Sequence, residues 1–514
     1  MGGVVTDFGA AAPAPRGGAS GAGVESPVPL AEARVVVAGY GVTGRAVAAA
    51  LAGRAASVVT VDARADDADV RLAGDLSADD DAVAGLVHDA DLVVASPGWA
   101  PSSPLLVAAE RAGVPIWSEI ELAWRLRADR ASSPGDGAGR GPAPWLCVTG
   151  TNGKTTTVEM LDSILRAAGL RSAAVGNVGR PAIEAALDPE LDVLAVELSS
   201  FQLHYTHTMS AQAAAVLNVA PDHLDWHGSL DAYAADKGRI YERAQVACVY
   251  NRADKRTEGL VREAEVIEGA LAVGFAAGTP GPGDVGLVDD VLVDRAFHLP
   301  VGDRQRQKSA AELGTLADLE HLAGGGVPPA HVVTNALAAA ALARAHGVPA
   351  AAVRDGLRAF TPGDHRIQRI ADLDGVAYVN DSKATNAHAA SASLAGFPHG
   401  TVVWIAGGLA KGAEFGELVA ARADRLRAAV VIGADAAPIT GALERHAAGV
   451  PVARVDPDDA ATVMQRAVAA ARDLAEPGDT VLLAPAGASM DQFTSYRHRG
   501  EAFAAAVRDL AASS

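Results

Sequence analysis

At 514 residues the chain exceeds what one hydrophobic core organises, and length alone points to about three domains. Its 43 Lys and Arg against 62 Asp and Glu leave a formal net charge of -19, whose average field repels nucleic-acid polymers and anionic membranes, so neither is expected as a partner. Cys147 and Cys248 are the only cysteines, which excludes a disulfide framework or a cysteine metal cluster and fits a reducing cytoplasm; no apolar run approaches the roughly 18 residues that span a bilayer.

Residues 1–31 are rich in Gly, Ala, Pro and Ser without periodicity and read as a disordered tail. Its start, Met1-Gly2-Gly3-Val4-Val5-Thr6, matches a loose myristoylation pattern, a match that chance explains in so Gly-rich a stretch. From Ala33 the pattern alternates strand and helix: 35–38, a helix over 45–52, 58–61, then 92–95. Such a βαβ series predicts a parallel sheet in a first domain over 32–130. Gly39-Tyr-Gly41-Val-Thr-Gly44 follows the first strand and opens the helix, and Asp62 ends the second strand, which is the spacing of a dinucleotide-binding fingerprint. The same pattern describes NAD or any nucleotide diphosphate at a sheet edge; beside a separate ATP-type loop, a nucleotide-linked substrate fits better. The Gly- and Pro-rich stretch 131–144 reads as a linker.

The central domain is expected over 145–361. Trp145-Leu-Cys-Val-Thr149 reads as a buried strand and 158–168 carries helical spacing, with Gly150-Thr151-Asn152-Gly153-Lys154-Thr155-Thr156 between them. The two glycines let backbone N–H groups turn toward oxygen ligands and the helix start adds partial positive charge. Lys154 can neutralise β and γ phosphates, and Thr155 can set its hydroxyl on Mg²⁺. Val148 stands where the standard phosphate loop has its first Gly, so strand, loop and helix together carry this reading. Glu197 ends the apolar run 193–196, where a carboxylate can hold Mg²⁺ directly or through water. Another strand, 214–218, leads into Val-Ala-Pro-Asp-His223, offering His223 to Mg²⁺ or phosphate; His204, His207 and His227 read as structural or solvated. Lys237, four residues after Tyr233 on a helical pattern, reads by itself as an exposed lysine. The Gly-rich region near 278–286 is expected to be less regular.

Thr361-Pro-Gly363 opens a third domain, 362–514, with strands at 376–379, 402–405, 429–432 and 481–484. Polar loops follow three of these strands: Asn380-Asp381-Ser-Lys383-Ala-Thr385-Asn386, Gly407-Gly-Leu-Ala-Lys411-Gly and Pro485-Ala-Gly-Ala-Ser489-Met490-Asp-Gln-Phe493. Ligands of parallel sheets bind at carboxyl ends of strands, so the repetition predicts a site, and 380–386 suits ribose and phosphate. Of the 43 basic residues only Lys154, Lys237, Lys255, Lys308, Lys383 and Lys411 are Lys. In so Arg-rich a chain a retained Lys marks chemistry that a guanidinium cannot do, although Lys255 and Lys308 sit in polar stretches without motifs.

Together, TGTNGKTTT, ELSSFQL, NVAPDHLD, ADKGRIYE, TNALAA at Thr334 and DHR at Asp364 resemble the Mur ligase family from about residue 35 to the end of the chain. NDSKATN, PAGASMDQF and Ser118-Glu-Ile-Glu-Leu-Ala123 resemble the D-glutamate-adding branch. The resemblance implies an α/β fold of three domains: a Rossmann-like amino-terminal domain, a P-loop-type central ATPase domain and a Rossmann-like carboxyl-terminal domain. It also implies an ATP-dependent amide ligase of cytoplasmic peptidoglycan synthesis that adds D-glutamate to UDP-N-acetylmuramoyl-L-alanine through an acyl phosphate, releasing ADP and phosphate; a monomer is expected.

By the same resemblance the first domain binds the UDP-linked substrate through Gly41, Val42, Thr43, Asp62, Ala63, Arg64, Ser96, Pro97 and Gly98, with Asn177 contributing from the central domain. ATP is expected on Gly150, Thr151, Asn152, Gly153, Lys154, Thr155 and Thr156, and on Asn335, Arg366 and Asp381. Thr155, Glu197 and His223 match positions around two Mg²⁺ ions, and Lys237 matches a lysine that becomes an N-carbamate ligand to them. Lys383, Thr385, Lys411, Ser489, Met490 and Tyr496 fall where D-glutamate is expected. The implied catalytic set is Lys154, Glu197, His223, Lys237 and Lys383. The chain departs from the family at Leu409-Ala410, where Asp-Gly is frequent, and at Asp364, which replaces a Pro.

Other readings divide along clear lines. A folylpolyglutamate synthase-like ligase shares the loop and the chemistry but needs no GxGxxG domain at the amino end. An NAD-dependent dehydrogenase explains 39–62 and leaves Lys154, Lys237 and Lys383 idle. A nucleotide-regulated binding protein holds ATP without releasing phosphate.

Overall fold

The computed structural model describes residues 25–72, 74, 77–131, 140–322, 328–363, 365–410, 412–457 and 461–513. Asp364, Lys411, residues 1–24 of the expected tail and most of the expected linker lie outside the described residues. The remainder of the expected tail is built in: Leu30–Glu32 forms a 3-10 turn, and Glu25 accepts two bonds from the Arg125 guanidinium at 2.6 and 2.9 Å.

The chain packs as two compact units. The first holds the described residues up to Arg127 together with Pro181–Leu187 and Phe201–Thr208. Its sheet runs Val70–Arg71, Ser57–Asp62, Arg34–Ala38, Leu92–Ala95, Ile116–Ser118, every neighbour parallel. Val35, Val37, Leu92 and Val93 lie on central strands covered on both faces, which is why these stretches read as unbroken apolar runs. The helix Glu119–Leu126 starts at Ser118, whose hydroxyl accepts from the Glu121 N–H. Glu121 then takes the N–H groups of His207 and Thr208 at 2.8 and 2.9 Å, the Thr208 hydroxyl at 2.6 Å and Arg125 at 2.7 Å. One buried carboxylate thus fastens a segment from far along the chain into this unit.

The second unit holds two sheets. The larger runs Ala311–Thr315, Val291–Asp294, Val285–Val288, Leu271–Phe275, Ala247–Asn251, Ala213–Val216, Trp145–Thr149, Val193–Glu197, Ser172–Gly176. The Gly-rich region near 278–286, expected to be irregular, leads into Val285–Val288, which opens an antiparallel extension of an otherwise parallel sheet. Behind Trp145–Thr149 the helix Lys154–Ala167 is clamped by two others. An Ala-rich helix, Ala330–Ala345, is buried along most of its length, and Gly356 of Ala350–Ala359 meets Ile164 so closely that a Cβ would lie 2.4 Å from its Cα. Small side chains therefore bring backbones together and hold the start of Lys154–Ala167 rigidly.

The other sheet runs Gln368–Leu373, Val376–Asn380, Thr480–Ala486, Val402–Gly407, Leu426–Ile432, Val452–Arg454, with only the first strand antiparallel. The strands ending at Asn380, Ala486 and Gly407 are neighbours, so their three polar loops leave the same edge side by side. The α/β class and the three separate sheets agree with the expectation from strand and helix alternation.

Candidate active site

The first unit carries a cleft of about 660 Å³ at the carboxyl ends of its strands, lined by 41–43, 62–64 and 96–98 among others. The reversal of strand order there is where such sheets bind ligands. Gly39 turns with φ +96°, and Gly44 allows the helix Val42–Leu51 to press onto that turn, since a Cβ on Gly44 would lie 1.8 Å from the Gly39 carbonyl oxygen. Asp62 accepts the N–H groups of Tyr40 (2.7 Å), Arg64 (2.7 Å) and Ala65 (3.1 Å). Burial pushes its pKa up, but those amides outweigh it and hold the carboxyl below its usual value. Asp62 therefore shapes the turn that a ligand would meet.

In the second unit Gly153, at φ +83°, caps the helix Lys154–Ala167, and Asn335 packs so closely that a Cβ on Gly153 would lie 2.5 Å from its Oδ1. Asn218 pins the loop, its Oδ1 accepting from the Asn152 N–H (2.9 Å) and its Nδ2 donating to the Asn152 carbonyl (3.1 Å). Thr151 bonds Ala220 through both its hydroxyl and the Ala220 N–H, at 3.2 and 3.0 Å.

Two lysines converge on this loop. Lys154 donates to the carbonyls of Gly150 (2.9 Å) and Thr151 (3.0 Å), and Lys237 donates to the same Gly150 carbonyl at 2.9 Å. Lys237 is 1% exposed, with its ammonium 4.4 Å from the centre of the Tyr233 ring. The exposed lysine expected from the helical pattern alone is thus a core residue. Burial pushes the pKa of both down, that of Lys237 far down, with the Lys154 charge adding to the effect at Lys237.

Glu197 ends its strand beside them, buried, with Oε1 taking the Asn177 side-chain amide at 2.8 Å and Oε2 without a hydrogen-bond partner. Asn177, expected on the UDP-linked substrate, donates its side-chain amide to this carboxylate. A buried carboxylate oxygen left open is costly unless a cation completes it, so the residues fit a divalent ion. Among the described residues no group of three His, Cys, Asp or Glu side chains could hold a metal by itself. Thr155, Glu197 and nucleotide oxygens suit Mg²⁺, which keeps part of its shell from substrate phosphates and water. His223 is exposed, at φ +53°, with Nε2 3.7 Å from Asp222 Oδ2. His227 bonds Ser200 and Asp236, both at 2.9 Å, and His207 bonds the Ile116 carbonyl at 2.9 Å, each a structural partner.

Loops of the smaller sheet meet this helix start. Lys383 donates to Thr155 Oγ1 at 2.9 Å, and Arg366 bonds Glu159 (2.7 Å) and Thr156 (3.4 Å). Asn386 reaches Asn152 at 3.3 Å. Burial, helped by the Arg366 charge, pushes Lys383 down to about 8. Burial pushes Asp381 up to about 6, although Ser393 donates to it. Tyr496 sets its ring 5.3 Å from the Lys383 ammonium; Ser489 is buried, Met490 is exposed, and the Thr385 N–H bonds the Lys383 carbonyl at 2.8 Å. Sequence reasoning missed Asn218, Glu159, Tyr233, Ser393 and Arg499. Most of these lie inside or beside quoted motifs, but their partners are distant in the chain, so no local signal could find them.

Fold and site together fit a nucleotide-dependent α/β ligase. Three family models match: a Mur ligase MurD-like N-terminal domain over 33–118, a Mur ligase middle domain over 148–343, and a Mur ligase glutamate ligase domain over 365–487. A curated relative in Streptomyces coelicolor, named UDP-N-acetylmuramoylalanine–D-glutamate ligase, is 58% identical across 93% of this chain and 98% of its own. One of the same name in Mycolicibacterium vanbaalenii is 47% identical over the same shares. The chain belongs to the Mur ligase family. Among solved structures the UDP-N-acetylmuramate-alanine ligase of Thermotoga maritima shares the fold, with TM-score 0.54, 18% identity and coverage of 94% of this chain and 100% of that one.

Proposed function

We propose that this chain is an ADP-forming ligase that joins D-glutamate to UDP-N-acetylmuramoyl-L-alanine in cytoplasmic peptidoglycan synthesis, acting as a monomer. The observation that carries the reading is the grouping of Lys154, Lys237 and the open Glu197 oxygen around a strand-to-helix glycine loop, in a chain whose 58%-identical relative bears that name. The separate cleft of the first unit supports it further, because a folylpolyglutamate synthase-like ligase would leave that cleft without a ligand. Both cysteines are free, which suits a reducing compartment, and no helix of the described residues is long and apolar enough to cross a membrane.

In this reading the UDP-linked substrate occupies the cleft and ATP lies on 150–156, with Asn335, Arg366 and Asp381 facing the nucleotide. The substrate carboxylate attacks the γ-phosphorus; the bond to the β–γ bridging oxygen breaks and ADP departs with that electron pair. Lys154 exchanges its bonds to loop carbonyls for the β and γ oxygens, where its charge counters what builds up in transfer. Thr155, Glu197 and His223 would hold Mg²⁺, which when bound neutralises phosphate charge. Burial pushes the pKa of Lys237 far down, toward the neutral amine that takes up carbon dioxide, and its carbamate would add oxygens to the same set.

D-glutamate would then meet Lys383, Thr385, Lys411, Ser489, Met490 and Tyr496. Its amine attacks the acyl carbon, phosphate leaves with the C–O pair, and the nitrogen gives up a proton. Closely meeting loops of the two sheets would keep water from the acyl phosphate. The test is phosphate release from ATP with UDP-N-acetylmuramoyl-L-alanine, with and without D-glutamate. Steady release only with both supports the reading; turnover indifferent to D-glutamate would end it.

A further inference from the structure

One buried cation has no part in the reaction as written above. Arg499, on the helix Tyr496–Ser513, is 1% exposed. Its Nε donates to Ser382 Oγ at 3.0 Å, one terminal nitrogen to the Ser382 carbonyl at 2.9 Å, and the other to the Gly487 carbonyl at 3.0 Å. Ser382 Oγ donates onward to the Tyr496 carbonyl at 2.8 Å. A single guanidinium thus spans the loop after Val376–Asn380 and the loop after Thr480–Ala486.

The third polar loop joins at the same point. Leu409 and Ala488 exchange N–H to carbonyl bonds at 2.9 and 3.0 Å, and a Cβ on Gly408 would lie 2.3 Å from the Ala488 carbonyl oxygen and 3.3 Å from the Arg499 guanidinium. Glycine at 408 is what lets the loop come this close.

All three bonds of Arg499 end on neutral oxygens. Burial pushes its pKa down to about 10, so it stays charged at neutral pH. A cation buried against carbonyls, in place of a carboxylate, gains little stability for its desolvation. What it does set is distance, because a planar fork with fixed donor directions holds two loops in one spacing. Lys383 follows Ser382 directly and Thr385 lies three residues on, Ser489 lies two beyond Gly487, and Tyr496 begins the helix that carries Arg499.

We propose that Arg499 is the positioning residue of the amino-acid subsite: its fork sets the spacing of the 380–386 and 485–489 loops. This rests on the reading that D-glutamate binds at these loops. Asp381, on the nucleotide side, is held separately by Ser393 and the Ile367 N–H, so it keeps its own support.

The experiment compares full-length wild type, Arg499→Lys and Ser382→Ala, measuring KM for D-glutamate, ATP and UDP-N-acetylmuramoyl-L-alanine, kcat and the thermal midpoint. Lysine keeps the charge and loses the fork. Arg499→Lys should raise KM for D-glutamate about tenfold or more, with KM for UDP-N-acetylmuramoyl-L-alanine within about twofold and KM for ATP rising severalfold less than that for D-glutamate, since Lys383 and Asn386 also touch 152–155, and Ser382→Ala should move the D-glutamate value the same way by less. If Arg499→Lys yields no folded protein, Ser382→Ala decides alone. An unchanged KM for D-glutamate, or three KM values rising together with a lowered midpoint, overturns the inference and leaves Arg499 a structural residue. Wild type that fails to use D-glutamate would instead overturn the reading beneath it.

Discussion

Two glycine turns, 39–44 in the first unit and 150–154 in the second, occupy the same topological place. Each leaves a parallel strand at the reversal of strand order and opens a helix. They differ in charge. At the first, Asp62 spends its oxygens on three backbone amides and Arg64 is the one cation among the described lining residues. At the second, two lysine side chains meet on one carbonyl beside a carboxylate with an open oxygen. Topology therefore decides where a ligand sits, and the local charges decide whether it is held or made to react.

The comparison breaks most sharply at Lys154. Lys154→Ala should lower turnover on the order of a thousandfold, by removing charge stabilisation at the transferring phosphoryl group. Calorimetric affinity for UDP-N-acetylmuramoyl-L-alanine should hold within about twofold if, as proposed, that ligand binds at the other turn. Parallel loss of both would contradict the division of labour.

Lys237 comes next. Lys237→Ala and Lys237→Arg should each cost roughly a hundredfold in kcat, the scale of losing a group that orients a metal set. Acetate should restore part of the alanine variant's activity by supplying oxygens in the vacated space. An arginine variant working near the wild-type rate would show that positive charge, and not a carbamate, is what the site uses.

The first turn has its own test. Gly44→Ala should cost about 1–3 kcal/mol of stability and weaken the UDP-linked substrate, since the added Cβ would meet the Gly39 carbonyl oxygen at 1.8 Å. Gly41→Ala, where a Cβ would meet nothing within 4 Å, should change stability by about 0.5 kcal/mol or less. Denaturant titrations of the two side by side would expose an error in this packing if the losses were equal.

The smallest effect concerns Glu119, the first unit's counterpart of Glu197. It too is buried with an oxygen lacking a partner; Gln202 donates to the other at 2.7 Å. Burial pushes its pKa up to about 7, against a little over 4 in an unfolded chain. The folded state therefore binds the extra proton between those values, so its contribution to stability is full below about pH 4 and is lost as pH rises through about 7. Glu119→Gln should stabilise the first unit by about 1 kcal/mol at pH 8 and flatten its melting profile between pH 4 and 7. A profile as steep as wild type would mean that Glu119 stays ionised in the fold.

Much of the architecture was legible in residue order. Apolar runs alternating with helical spacing, and glycines at the strand-to-helix turns, are local signals, and they pointed to three α/β domains with loops gathered at strand ends. They failed where a segment's partner is remote. Phe201–Thr208 joins the first unit because Glu121 takes its amides, and 25–31, read as tail from composition, is tied down through Glu25 and Arg125.

The sequence by itself determined the elements, the glycine turn 150–153 and the Lys154 that follows it, because these depend on φ/ψ preference, periodicity and charge within a few residues. Only the tertiary structure decided that Lys237 is buried against Gly150, that Asn218 pins Asn152, and that Arg499 binds two loops. The reason is physical. Buried polar groups must find partners, and in this chain those partners arrive from strands and helices far apart in sequence, which no local pattern encodes.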